Sequence, residues 1–262
     1  MPRFAANLSM MFNEVAFVER FAEAAKVGFK GVECLFPYAF SADAIAERLD
    51  RYNLQQVLFN MPPGDWRSGE RGLASLPGRE AEFEDNLEHV LLYARATGCK
   101  QVHMMAGIPP SDCSQQLAED TFVRNLSVAA RKLREYGITV MIEPINSGDV
   151  PGYFLHHQDQ AIDLLKRADE PNTALQMDLY HCHLTEGNLA THIRDNISHI
   201  GHFQIAGAPG RHEPDIGEIN YPALFDIIDS LNYSGWVSCE YRPTAQTQAG
   251  LGWAAPFDIG KQ

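Results

Sequence analysis

Cysteine is scarce in this 262-residue chain: Cys34, Cys99, Cys113, Cys182 and Cys239 make five, with no Cys-x-x-Cys pair. An odd, unpatterned set excludes a disulfide framework and fits a reducing, cytoplasmic setting. Basic residues are also in deficit, 21 Lys+Arg against 34 Asp+Glu, for a formal charge of -13. Such a chain repels a phosphate backbone unless a local basic stripe overrides it. The densest basic stretch, with Arg124, Arg131, Lys132 and Arg134, reads as the solvated face of one helix, so nucleic acid is not an expected partner. No run reaches the about 18 apolar residues of a membrane span, and residues 1–11 are too polar for a secretory core. With Gly 20 and Pro 15 at ordinary levels, disorder is excluded as the main state.

What is present is a steady alternation. Apolar residues make up 45% of the chain, which is long enough to bury roughly three quarters of its unfolded surface. Short apolar runs read as strands at Phe4–Asn7, Gly31–Cys34, Gln55–Asn60, Gln101–Met105, Thr139–Glu143, Thr173–Asp178, His199–Ile205 and Trp236–Glu240. Segments of helical period separate them, as at Phe17–Lys26 and Glu82–Thr97. Gly28, Gly98 and Gly137 each stand where a helix needs a left-handed stop before the next strand. Eight such units predict a single α/β domain over residues 1–262, a (β/α)8 TIM barrel. An open doubly wound sheet is the weaker reading, because the first strand-to-helix turn holds no Gly-x-Gly-x-x-Gly and offers no dinucleotide cradle. Long connections follow strand three (residues 61–79) and strand seven (residues 207–221), on the side where barrel loops build active sites.

If that register holds, the last four strands end in Glu143, Asp178, Gln204 and Glu240, spaced 35, 26 and 36 positions apart, about one unit each. A ring of three carboxylates and an amide at the barrel mouth suits a hard divalent cation such as Mg2+ or Mn2+. Each residue alone is weak evidence, since a glutamate at a strand end is more often a solvated or ion-paired residue. Together they form a like-charge cluster that needs a cation or a shared proton. His181 follows Asp178 by three residues and leans over the same pocket, whereas His202 and His103 read as deeper residues. The His181-Cys182-His183 run lacks the second half of a zinc knuckle. His156, His157, His192, His199 and His212 read as surface or loop residues.

Several stretches resemble one family: R-F-A-A-N-L-S-M-M-F at the N-terminus, P-G-R-E, I-E-P-I-N, H-x-Q-I-A, R-H-E-P, G-E-I-N-Y-P and C-E-Y-R-P. Over nearly the whole chain they look like the hydroxypyruvate isomerase family of xylose-isomerase-like barrels. Residues 1–12, Val-His-Met-Met-Ala-Gly at 102–107 and Gly-Arg-His-Glu-Pro at 210–214 are most similar to its 2-oxo-tetronate isomerase branch, while I-E-P-I-N looks like hydroxypyruvate isomerases. The resemblance implies catalytic glutamates at Glu143 and Glu240. It implies metal ligation by Glu143, Asp178, Gln204 and Glu240, with His181 and Arg211 contacting substrate. Gln204 departs from the His of many relatives, and a Gln carbonyl binds a cation more weakly than imidazole.

The implied reaction moves the carbonyl of a short hydroxy-2-oxo acid by one carbon through an enediolate. It converts 2-oxo-tetronate to 3-oxo-tetronate or hydroxypyruvate to tartronate semialdehyde, with no nucleotide cofactor. In so acidic a chain the substrate carboxylate needs a local cation, for which Arg211 is the first candidate and Arg71 the second; a surface role is the alternative for each. The expected partners are a small 2-oxo acid and, at most, further copies of the chain in a homo-oligomer. Alternatives on the same barrel are a ketose 3-epimerase, a non-catalytic sugar-acid binding protein and a DNA-repair endonuclease. The charge argues against the last of these.

Overall fold

Each short apolar run forms a strand too brief to stand alone, and each amphipathic stretch covers the strands it follows. The computed structural model describes residues 1–261 and shows β1 (Arg3–Asn7), α1 (Phe17–Lys26), β2 (Gly31–Cys34), α2 (Ala42–Tyr52), β3 (Gln55–Asn60) and α3 (Glu80–Thr97). They are followed by β4 (Gln101–His103), α4 (Gln115–Arg134), β5 (Thr139–Ile142), α5 (Gln158–Ala168) and β6 (Thr173–Asp178). Next come α6 (Leu179–Thr185), α7 (Leu189–Asn196), β7 (Ile200–Ile205), α8 (Tyr221–Ser230) and β8 (Trp236–Cys239). The strands pair in parallel from β1 to β8, and β8 closes the barrel on β1 with Arg3 opposite Trp236 and Ala6 opposite Cys239.

Boundaries differ from the sequence reading by one or two residues. β4 stops at His103, β5 at Ile142 and β8 at Cys239, β7 starts at Ile200, and α3 begins at Glu80. At Glu143 the cause is Pro144, which has no N–H to extend the ladder. Glu240 still donates its N–H to Ile205 at 3.0 Å before the chain turns out at the mouth. Gly28, Gly98 and Gly137 have φ of 106°, 68° and 65°, the left-handed stops their positions require. The basic run lies on α4, where Arg124, Arg131 and Lys132 pair with Glu80, Glu170 and Glu88.

Strand residues face alternately outward and inward. Phe4 faces outward, its ring 5.2, 5.3 and 4.8 Å from those of Phe225, Trp253 and Phe257. Ala5 belongs to a small inner cluster with Val57, Leu58 and Met141, the apolar floor of the barrel. Above that floor the interior turns polar with Glu33, Gln176, His202 and Gln204, all buried.

The residue 61–79 connection holds a 3-10 turn (Trp66–Ser68) capped by Asp65 and bridges to the exit of β4 through Gly72 and Ala106. Gly72 has φ of 118°, and a Cβ there would collide with the Met105 carbonyl, so this loop is fixed against its neighbour. No helix among the described residues is long and apolar enough to cross a membrane.

Candidate active site

A cavity of about 550 Å3 opens at the C-terminal mouth of the barrel, with Glu143, Glu240, His181, Arg211, Arg71 and Gln176 in its wall. Five of the seven residues singled out from sequence therefore meet in one place. Asp178 and Gln204 are buried behind that wall.

Asp178 is fixed by its position between two elements: it ends β6 and caps α6, accepting the Tyr180 N–H at 2.8 Å. Its other oxygen lies 3.3 Å from Arg211 Nη2 and 3.6 Å from His181 Nε2. Arg211 sits in the loop after β7 with a left-handed backbone, φ 54°, an uncommon conformation for a residue with a Cβ. From there its guanidinium donates to Glu240 Oε2 at 2.5 Å and to Asp149 at 3.4 Å, and it stacks 4.9 Å from the Tyr180 ring. Arg71 is held differently. Its Nη1 donates to the carbonyls of Trp66 and Glu70, and the group lies 3.8 Å over the Trp66 ring. Among the described residues no carboxylate pairs with it.

Glu33, Glu143, Asp178 and Glu240 are buried together, and Arg211 reaches two of them. Burial, with Glu240 and Asp178 beside it, pushes Glu143 well above the usual carboxylate range. Burial also raises Glu240 to about 8, against the pull of Arg211 and with Asp178 and Glu33 pushing the same way. Asp178 is raised by burial more than Arg211 lowers it. Burial opposes ionisation of Glu33 too, but the hydrogen bond and charge of His202 hold it below its ordinary value. His103, 3.4 Å from Glu143, is lowered by burial to about 3 and is neutral, so that contact is no ion pair.

This excess of negative charge is what a divalent cation would neutralise. Donor atoms of Glu143, Asp178 and His181 lie within 4.8 Å of one another, a buried group able to hold a metal. The tautomer of His181 narrows that set. Asn146 Oδ1 accepts the Asp149 N–H at 2.8 Å, which turns its amide nitrogen to His181 Nδ1 at 2.6 Å. Nδ1 is thus the acceptor and Nε2 carries the proton toward Asp178. In this arrangement His181 is an N–H donor facing the cavity, and the atoms left able to hold a metal are carboxylate oxygens. His183 turns away to Glu218, so the His-Cys-His run does not converge.

Gln204 faces Asp178 across the β6–β7 ladder, as its spacing implies, but both ends of its amide are engaged. Its oxygen accepts from Gln176 at 2.7 Å and its nitrogen donates to Glu33 at 2.8 Å. Glu33 and Gln176 are site residues that the sequence reading missed, and both carried a signal. Gln176 precedes Asp178 by two, the same step that puts His202 beneath Gln204, and Glu33 is a lone charge inside the apolar strand Gly31–Cys34. Asn146 and Asp149 come from an irregular segment where spacing gives no facing, and Tyr180 stands in the first turn of the short helix α6.

Residues 21–257 match the family model of the xylose isomerase-like TIM barrel, which fits both the closed eight-strand barrel and the carboxylates at its mouth. Over 257 residues the chain is 52% identical to a 2-oxo-tetronate isomerase of Cupriavidus necator, covering 98% of this chain and 99% of that protein. It is 44% identical to a hydroxypyruvate isomerase of Escherichia coli, covering 98% and 100%. A crystal structure from Brucella melitensis, described as an AP endonuclease of family 2, superimposes with a TM-score of 0.97 at 53% identity, covering 98% of this chain and 99% of that one. Within the xylose isomerase-like class the chain belongs to the hydroxypyruvate isomerase and 2-oxo-tetronate isomerase family.

Proposed function

We propose that this protein isomerises a short hydroxylated 2-oxo acid, with 2-oxo-tetronate ahead of hydroxypyruvate as substrate. The observation that carries the reading is the pair Glu143 and Glu240, buried at the ends of β5 and β8 and facing one cavity. Like charges so placed do not both ionise readily, so the cluster holds a proton near neutrality. One glutamate removes the carbon-bound proton beside the carbonyl, and the partner returns a proton to the adjacent carbon. The negative charge that develops on the enediolate oxygens meets Arg211 and the Nε2–H of His181. Arg71 takes the substrate carboxylate, because Arg211 is already shared among Glu240, Asp178 and Asp149.

When bound, a divalent cation such as Mg2+ or Mn2+ supplies Lewis-acid stabilisation of the same oxygens. Glu143, Asp178 and Glu240 would hold it, with the Gln204 carbonyl, already bonded to Gln176, as a weaker fourth donor. The five free cysteines suit a cytoplasmic setting.

The 2-oxo-tetronate preference rests on the 52% identical relative, and the cavity of about 550 Å3 has room for either acid. A coupled assay with both acids in parallel tests it: turnover of both is expected, with the larger kcat/KM for 2-oxo-tetronate. Turnover of neither acid by metal-supplemented protein would overturn the isomerase reading and return the chain to the binding-protein class. A ketose 3-epimerase would accept neutral sugars, which leave Arg71 without a carboxylate.

A further inference from the structure

A line of hydrogen bonds joins the two glutamates through Gln176, in the cavity wall, and through Gln204, Glu33 and Asn7, buried behind it. From Glu143 Oε2 it runs 2.9 Å to Gln176 Nε2, which also donates 2.7 Å to Gln204 Oε1. Gln204 Nε2 donates 2.8 Å to Glu33 Oε1, and Asn7 Nδ2 donates to that same oxygen at 2.9 Å. Asn7 Nδ2 then reaches Glu240 Oε1 at 3.1 Å. His202 Nε2 closes on the second Glu33 oxygen at 2.8 Å. The six residues of the line come from β1, β2, β6 and β7 and from the exits of β5 and β8.

The direction of that line is not arbitrary. An amide presents either its oxygen or its nitrogen to a neighbour, and an isolated Gln–Gln pair is satisfied equally well either way round. An ionised carboxylate only accepts. Placed at the centre, Glu33 forces Asn7 and Gln204 to turn their nitrogens toward it. Gln204 must then show its oxygen to Gln176, and Gln176 must show nitrogen to both Gln204 and Glu143. Asn7 is pinned from its other end as well, since its Oδ1 accepts the Ser9 N–H at 3.0 Å. One acceptor is left over by this ordering: the buried Oε1 of Gln176 has no partner. An orphaned buried acceptor is unfavourable, and the neighbours' demand for N–H explains why the amide does not flip to relieve it.

We propose that Glu33 is a positioning residue whose carboxylate sets the polarity of the amide line, so that Glu143 and Glu240 each receive an N–H from below on one oxygen and turn the other to the cavity side, where that of Glu240 meets Arg211. This deepens the proposed function and rests on it for its kinetic readout. Glu33 touches neither substrate nor the reacting atoms; it acts through Gln204–Gln176 on one side and Asn7 on the other. Its effect falls on how the glutamates are aimed, so its loss shows in kcat more than in KM.

Glu33→Gln keeps the shape and introduces an amide that also donates, which lets the line run backward and turns the Gln176 oxygen toward Glu143. The expected result is a kcat lower by about 10- to 100-fold with KM within about threefold. The exchange Glu33→Gln/Gln204→Glu puts one carboxylate back in the same pair, still demanding nitrogen from Gln176, and should recover kcat relative to Glu33→Gln. Parental kcat in Glu33→Gln, or an exchange variant no better than it, would overturn the proposal.

A second readout does not depend on turnover. In 15N spectra of the parent, the side-chain amide protons of Asn7, Gln176 and Gln204 should exchange slowly with water, and in Glu33→Gln those signals should move. Fast-exchanging parental amides, or unmoved signals in the variant, would sink the idea even if Glu33→Gln folded poorly. Conversely, a parent inactive on both acids with these amides protected would remove the isomerase reading and leave the ordered line standing.

Discussion

The two faces of the same strands solve different problems. Outward, Phe4, Ala6, Met177, Phe203 and Cys239 pack into the apolar layer between barrel and helices. Inward, one residue further along, Asn7, Asp178, Gln204 and Glu240 build a polar interior that only the bottom cluster of Ala5, Val57, Leu58 and Met141 keeps apolar. Burial is as complete inside as outside, yet inside it raises the energy of charged groups instead of lowering that of the fold. Stability and chemistry are thus separated by a single residue of strand period.

If that division is real, substitutions on the two faces should have different signatures. The largest effect is expected inside: Glu240→Gln keeps the shape but cannot relay a proton, so kcat should fall by about 10²- to 10⁴-fold while the melting temperature stays near the parent's. Near-parental kcat at saturating Mg2+ would end the two-glutamate mechanism. Next comes the outer face, where Phe4→Ala empties a site lined by three aromatic rings and should cost about 3 to 5 kcal/mol of stability. Its kcat, measured well below the melting transition, should remain parental. Loss of activity there without loss of stability would erase the distinction.

Arg71→Ala sits on the rim and should be milder, raising KM for the acid about tenfold through loss of a carboxylate contact while kcat changes less. Equal KM values for variant and parent would move the anchoring role to Arg211. The smallest effect is a pH dependence. Glu143, Asp178 and Glu240 are raised in the folded chain, so between their ordinary values and about 8 the folded state binds more protons than the unfolded one. Stability of metal-free protein should therefore fall as pH rises from 6 to 8.5, by about 2 to 4 °C in melting temperature for each kcal/mol involved. Added Mg2+ should flatten that slope, and a melting temperature that rises over the same range would contradict the charge assignment.

The barrel was legible because strand and helix periods alternate without interruption, and misplacements were confined to termini such as Glu143 before Pro144. Glu143, Asp178, Gln204 and Glu240 were legible for a related reason, since strand ends recur at unit spacing. Their partners were less so. That Gln204 is bonded to Glu33, 171 positions away, follows from closure of the barrel and from no local pattern. The restraint of Arg211 by Asp149 likewise joins two irregular loops, 62 positions apart, whose approach no periodicity encodes.

The Asn7–Glu240 hydrogen bond spans 233 positions and crosses the β1–β8 seam. Contacts so distant along the chain carry a large loop-closure entropy and tend to form late in folding. Closure at that seam therefore also adds the final link of the amide line, Asn7 to Glu240, and a chain still open there has no aligned glutamate pair. Recovery of activity during refolding should lag recovery of helical signal, which makes catalysis a clock for the final closure of the ring.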